Sequence, residues 1–467
     1  MLDQRVPAAQ ALAQAQQALA TARSAPVPTG AAPLVAAPPE PNQTDGVTQI
    51  TFAVPFTNDP TLFPEAIRRF NQANPQIQVM LRSIGDPAVN GTFQELTSRV
   101  DCFASFGPTQ LDRLDSLQDL QPLIDADASF ARDDYLPQVL EAFQRDGVQL
   151  GLPLAANFPV LGYNKALFDA QNLAYPSPDW TLDNLLDAAV RLTDKREDRR
   201  TYGFVYADGE SLVVPYLVSL AGGSLVSGQD ATLQPNLRDQ PVQQGLRGYL
   251  ELMRAAAPIP RISYIWTVDQ WNEQRRLIGN GRAGMWMAAG EWGMRGIQFD
   301  NGVLDTTVVT APPLGRYAPE VASSQLFGLY VSGQSQQPQA CWTLMRALSA
   351  DLPLIERLGM PVQRSLGDSP AYAQAARPYA PEVYRAYRDA LDQPRAPQAE
   401  RVALSDLPYP YWLHRALDQA LQGRDLAQGL DQAQVYSASY LDCTRAGSDG
   451  PACARQVAPD DPGWLAQ

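Results

Sequence analysis

The chain has 467 residues with 36 Lys and Arg against 50 Asp and Glu, a net charge of −14, and 45% hydrophobic residues. That length exceeds what one hydrophobic core normally serves, so two lobes with a cleft between them are expected, and the acidic balance without clustered Lys or Arg argues against a nucleic-acid partner. One histidine, His414, excludes multi-histidine zinc and iron sites and leaves a Ser-His-Asp or Cys-His nucleophile system a single residue to draw on; no cofactor or metal is implied.

Residues 7–22 are rich in Ala and Gln, and residues 24–46 hold Pro26, Pro28, Pro33, Pro38, Pro39 and Pro41. This composition describes a helix-like tip followed by a stiff, extended spacer that would hold a folded body off a membrane, or a disordered tail without function. No apolar run of about 20 residues is present, and the start lacks the pattern of a signal peptide. Export and any anchor are therefore expected from a trimmed or preceding segment.

The body is predicted to begin with a strand at Gln49–Pro55 and a helix from Pro60 to Gln72. Leu62, Phe63, Ala66, Ile67 and Phe70 lie at helical spacing on that helix, and a second strand starts at Ile77 after Asn74-Pro75. That is a βαβ unit, whose strand C-termini form a ligand-binding edge. Further strands are expected at 149–153, 202–206, 284–287, 306–310 and 327–331. Helices are expected at 182–193, 242–255, 271–278, 340–349 and 411–422, and no internal repeat is visible.

The Leu150 to Lys165 stretch joins two extended runs through Asn157, where the chain would cross between lobes and act as a hinge. In Tyr163-Asn164-Lys165 the asparagine suits the cap of a helix start. Gly281-Arg-Ala-Gly-Met-Trp-Met-Ala-Ala-Gly-Glu-Trp292 carries a buried strand at 285–287 with Trp286 in the core. The small residues Ala288-Ala289-Gly290 then allow close backbone approach, and Glu291 and Trp292 open the next helix at a cleft edge. A carboxylate beside an indole suits a sugar: carboxylates pair with vicinal hydroxyls, and an aromatic face covers the apolar face of a pyranose.

His414 is expected as a partly exposed helix residue. The four cysteines show no metal-ligand spacing and suit an oxidising compartment, with three connectivities open. Cys443 and Cys453 flank a flexible turn and are paired, which leaves Cys102 with Cys341.

In order and spacing these segments resemble the extracellular solute-binding proteins of the sugar-binding type, the maltose-binding-like receptors of ABC importers. The resemblance covers residues 47 to about 442. Besides the segments above it rests on Gln118-Asp-Leu-Gln-Pro-Leu123, Trp180-Thr-Leu-Asp-Asn-Leu185, Ala221-Gly-Gly223, and the 416–423 and 429–434 stretches that look like the family's last helices. It implies an α/β, two-lobed periplasmic-binding-protein-like fold of type II with mixed sheets and hinge-linked lobes. Lobe 1 would comprise 47–157 and 316–366, lobe 2 would comprise 158–315 and 367–442, and a tail would follow at 443–467.

Residue by residue, it places Phe56, Thr57 and Asn58 after the first strand at the cleft, and Phe103 to Phe106 after a strand ending near Cys102. Asn157 would meet a ligand hydroxyl, and Glu210, beyond Tyr206, matches a sugar-binding carboxylate, with a solvated loop carboxylate as the competing reading. Trp292, beside Glu291, matches the stacking indole, and Tyr409, Tyr411 and Trp412 form another aromatic wall. Trp266 and Trp271 are reserves. The implied protein is a non-enzymatic, monomeric receptor outside the cytoplasm, passing a mono- or oligosaccharide to ABC permease subunits. The alternatives are a surface sensor or tether of the same fold and a glycoside hydrolase, for which no paired-carboxylate signature exists.

Overall fold

In the computed structural model the described residues are 46–55, 61–83, 93–106, 116–145, 147–206, 210–228, 232–258, 268–295, 297–300, 302–313, 326–392, 407 and 409–463. Thr48–Gln467 forms one compact unit. Its strands are β1 (Thr48–Val54), β2 (Ile77–Ser83), β3 (Cys102–Phe106), β4 (Gln144–Arg145), β5 (Val148–Gln149), β6 (Gly151–Ala156), β7 (Val160–Asn164), β8 (Tyr202–Tyr206), β9 (Val226–Ser227), β10 (Gln234–Pro235), β11 (Ala283–Ala288), β12 (Thr307–Thr310) and β13 (Leu326–Val331).

Two sheets organise them: a five-stranded one in the order β2-β1-β3-β13-β6 and a four-stranded one in the order β12-β7-β11-β8. In the first, β1 pairs in parallel with β2 and β3, while β13 runs antiparallel to both β3 and β6. In the second, β11 is parallel to β8 and antiparallel to β7, and β12 is antiparallel to β7. Both sheets are therefore mixed, as expected.

The first helix, Leu62–Ala73, buries Leu62, Phe63, Ala66, Ile67 and Phe70, the stripe its spacing predicts. A helical period of 3.6 leaves these positions on one face, where they cover the first sheet. The disulfide Cys102–Cys341 ties β3 to the helix Pro338–Ser349 with both cysteines fully buried. Cys443–Cys453 closes the second bridge, so both expected pairings are present.

The second sheet sorts its side chains by strand parity. Leu161, Tyr163, Phe204, Tyr206, Met285 and Met287 enter one core, together with the helices Leu182–Leu192, Gln240–Ala255 and Tyr411–Leu421. Val160, Val205, Trp286 and Ala288 face the other way and join the core of the first sheet. Trp286 is 1% exposed, and it needs Gly162 opposite: a Cβ there would lie 2.1 Å from the Trp286 ring. Trp286 is thus a core residue, as the sequence indicates.

Several elements depart from expectation. The predicted 149–153 strand is two strands, because Val148–Gln149 pairs with Gln144–Arg145 in a small ribbon before the chain re-enters the first sheet at Gly151. Cys102 begins β3 rather than ending a strand, so Phe103 lies within the sheet, 1% exposed and stacked on Tyr330 at 5.2 Å, instead of beyond it at a cleft. His414 is 7% exposed, not partly exposed, since it faces the core side of its helix. The helix Glu210–Leu220 is apolar nearly all round, with no single stripe, and contains Pro215; Ala380–Leu391, not among the expected helices, does carry a stripe and buries Ala380, Val383, Tyr384, Tyr387 and Leu391 at helical spacing.

Candidate functional site

Strand direction locates the site. Strands β1, β2, β3 and β6 share one direction, so Val54, Ser83, Phe106 and Ala156 form the carboxyl edge of the first sheet. Tyr206, Ala288 and Thr310 form that of the second. The chain leaves the first sheet at Ala156 and enters the second at Val160, and it returns from Thr310 to Leu326. Both connections join carboxyl edge to carboxyl edge. In open α/β sheets ligands bind beyond the strand C-termini, and here the two such edges are linked at two points.

Asn157 stands in the first connection, 7% exposed. Its Nδ2 donates to the Leu358 carbonyl at 2.7 Å, while its Oδ1 has no hydrogen-bond partner among the described residues. Glycines hold the backbone on two sides. A Cβ on Gly290, which has φ +49°, would come within 3.0 Å of the Phe158 carbonyl and 3.3 Å of the Asn157 Cα, and one on Gly359 would meet the Ala156 carbonyl at 2.7 Å. The close approach expected of Ala288-Ala289-Gly290 is therefore made to the crossing segment itself. Ala156 and Met360 form a further bridge.

On the next residues, Phe158 stacks on Tyr387 with ring centroids 4.4 Å apart, and the Tyr387 hydroxyl donates to the Pro159 carbonyl at 2.8 Å. Burial raises the Tyr387 pKa well above its ordinary value, which keeps the hydroxyl a donor. Neither Phe158 nor Tyr387 was singled out from the sequence; an aromatic just after Asn157 between two apolar runs was the available signal.

The expected site residues divide. Glu210 is the first residue of the helix Glu210–Leu220, and Glu291 and Trp292 lie in the first turn of Gly290–Arg295. Both helices start at the carboxyl edge of the second sheet, just after β8 and β11. Phe106 ends β3 and is paired with Phe327. Phe56, Thr57, Asn58 and Trp266 lie outside the described residues, and Trp271 is 38% exposed beneath the Arg275 guanidinium.

Tyr206 turns inward: it is 1% exposed and its hydroxyl points at Met253 Sδ, 3.4 Å away. Asn164 accepts from the backbone N–H of Ala166 at 3.1 Å and of Leu167 at 3.4 Å, the helix cap the sequence suggests.

Tyr409, Tyr411 and Trp412 do assemble an aromatic group. Tyr409 meets Trp412 edge-on at 4.9 Å and stacks on Tyr440 at 5.3 Å and on Tyr411 at 5.8 Å. Their polar tips are taken by the end of the chain. The Tyr409 hydroxyl donates to the Pro462 carbonyl at 2.6 Å, the Tyr411 hydroxyl to Asp461 Oδ1 at 2.7 Å, and Trp412 Nε1 to the Asp461 carbonyl at 3.2 Å. Burial, then the bond to Asp461, raises the Tyr411 pKa. Below them, burial pushes the His414 imidazole down to about 4.

The sequence matches the family model described as bacterial extracellular solute-binding protein over residues 65–351. It is 27% identical over 175 residues to the mannitol-binding protein of Pseudomonas aeruginosa, an alignment spanning 36% of this chain and 38% of that relative. Among solved structures, the sugar-binding protein MalE of Xanthomonas citri superposes with a TM-score of 0.66 at 18% identity, covering 85% of this chain and 98% of that one. An ABC transporter solute-binding protein of Agrobacterium vitis S4, with bound D-mannitol, superposes with a TM-score of 0.58 at 20% identity, covering 86% and 99%. These likenesses bear out the two-lobed fold.

Proposed function

The chain belongs to the bacterial extracellular solute-binding proteins, a family of receptors rather than enzymes, and from that premise we propose that it binds a carbohydrate or polyol between its two lobes and hands it to the permease of an ABC importer. The observation that carries this reading is the meeting of the two carboxyl edges at the Asn157 crossing, inside the segment that matches the family. The relatives named above as binding mannitol or sugars support the ligand class.

The proposed contacts are Asn157, through its open Oδ1, and Glu210, Glu291 and Trp292 at the two helix starts, with Phe56, Asn58 and Phe106 from the first lobe. Carboxylate and amide oxygens accept from vicinal hydroxyls, and the Trp292 indole covers the C–H face. A ligand held by both edges gains its full set of contacts only when the lobes close, so its differential affinity shifts the open and closed populations. The receptor acts as a monomer outside the cytoplasm, tethered to the membrane surface through its N-terminal segment.

The test is thermal unfolding of the purified protein with sugars, polyols, amino acids and polyamines, beside a Trp292→Ala variant. Ligand at a hundred times its Kd stabilises by about 2.7 kcal/mol, enough for a clear shift. A shift with a carbohydrate or polyol that is lost in Trp292→Ala supports the reading; a shift with amino acids or polyamines alone overturns the ligand class.

A further inference from the structure

The helix Glu210–Leu220 is apolar nearly all round, the pattern of a helix covered on more than one side. One cover is the second core. Val213, Val214, Leu217 and Val218 are buried in it, and a Cβ on Gly245 of the helix Gln240–Ala255 would fall 2.5 Å from the Val218 Cα. The helical period turns Tyr216 away from that face. Tyr216 is nevertheless half-buried, and its hydroxyl is closed off from solvent with no hydrogen-bond partner among the described residues.

The other cover comes from the first core, to which Tyr387 belongs. The two tyrosines lie close enough for ionisation of Tyr216 to disfavour that of Tyr387, and burial raises the pKa of both, so both hydroxyls keep their protons. Tyr387 stacks on Phe158 and donates to the Pro159 carbonyl. Tyr216 thus reaches from a helix that begins at the carboxyl edge of the second sheet to the crossing, where Asn157 Oδ1 is also buried without a partner. Of these two open groups the phenol can donate, whereas the amide oxygen only accepts.

We propose that Tyr216 is a ligand-contacting residue of the second lobe, paired with Asn157 across the crossing: its O–H donates to one oxygen of a polyol or sugar while Asn157 Oδ1 accepts from a neighbouring hydroxyl. The inference rests on the carbohydrate reading above and deepens it.

The ligand enters while the lobes are apart, when water satisfies both groups. Closure without ligand strips that water and leaves both bare, which is costly for buried polar atoms. Closure on adjacent hydroxyls gives each a partner, because a hydroxyl both donates and accepts. The pair therefore favours the closed state only around a ligand of this kind. A solute offering acceptors alone would satisfy Tyr216 and leave Asn157 Oδ1 bare.

The test is calorimetric titration of the full chain and of Tyr216→Phe with mannitol, glucitol and glucose, and with any sugar of the thermal panel that shifts the parent. Tyr216→Phe keeps the ring and removes only the hydroxyl. The expected result is at least tenfold weaker binding by the variant. Its ligand-free unfolding midpoint should equal or exceed the parent's, since the phenylalanine buries no bare hydroxyl. A smaller loss of affinity overturns the contact and leaves the carbohydrate reading standing. Weaker binding with a lowered ligand-free midpoint assigns Tyr216 to the scaffold and overturns the contact as well. A parent that binds none of these sugars and polyols overturns the carbohydrate reading and the contact with it.

Discussion

Two places where the sequence suggests ligand contacts end in opposite states. At the crossing, Asn157 keeps one buried acceptor open; at the wall, the hydroxyls of Tyr409 and Tyr411 and the indole N–H of Trp412 are bonded to the chain's own end. Residue types that suit a sugar are present at both. The difference lies in who supplies the partner. A buried polar group must be satisfied by something, and the tail does this for the wall, while among the described residues none does it for Asn157 Oδ1. Availability, rather than chemical type, separates a poised contact from a filled one.

The largest expected effect breaks the crossing side of this contrast. Phe158 is fully buried and Tyr387 is 2% exposed, and they meet at 4.4 Å. Phe158→Ala removes a large ring and leaves a cavity beside the hinge, at a cost of about 3–5 kcal/mol. Urea unfolding should record that loss with the slope unchanged. Tyr387→Phe, which loses only the bond to Pro159, should cost about 1 kcal/mol. Equal losses would show that the hydroxyl, not the stacked ring, holds the crossing.

Acid should distinguish the wall from the crossing. His414 lies on the helix that begins with Tyr411 and Trp412, and burial lowers its pKa from 6.5 to about 4. A depressed folded-state pKa means that the unfolded chain binds the proton first. The stabilisation is therefore complete above about 6.5 and is lost as the pH falls from there toward 4, by about 3 kcal/mol in all. Stability measured at pH 7, 5.5 and 4.5 should fall accordingly in the parent, and His414→Gln should flatten this component of the fall. An unchanged slope in that variant would place the acid sensitivity elsewhere.

The sequence makes the scaffold legible where one period dominates. The stripe from Leu62 to Phe70, the strand Tyr202–Tyr206 and the split of Met285 and Met287 from Trp286 follow from spacing alone. So do the two disulfides, since a flexible turn between Cys443 and Cys453 leaves only one other pair.

Features made by distant segments are harder to read. The Phe158–Tyr387 stack joins residues 229 positions apart, and the tail meets a wall about 50 residues earlier in the chain. Tyr206 and Phe103 were placed by their neighbours in sequence, whereas sheet parity and a one-element shift of the strand boundary turned both into the core. Pro462-Gly463 marks a turn, but nothing in its composition says what it touches.

The smallest change in stability falls on Asn157, and it is the most informative for function. Asn157→Ala removes the 2.7 Å bond to the Leu358 carbonyl, which costs roughly 1 kcal/mol. It also removes the open acceptor, whose unmet desolvation costs the folded state about 1 kcal/mol at the low end for a neutral group. The two effects oppose, so unfolding stability should change by less than about 1 kcal/mol. Carbohydrate affinity should nevertheless fall at least tenfold, because about 1.4 kcal/mol of binding free energy is lost with one hydrogen bond. Asn157→Asp keeps an acceptor but gives up the Nδ2 donor toward Leu358, so it should retain more affinity than Asn157→Ala while losing more stability. If Asn157→Ala instead unfolds the protein readily and leaves affinity untouched, the crossing amide serves the hinge alone, and the contrast between an open and a filled contact collapses to two kinds of structural brace.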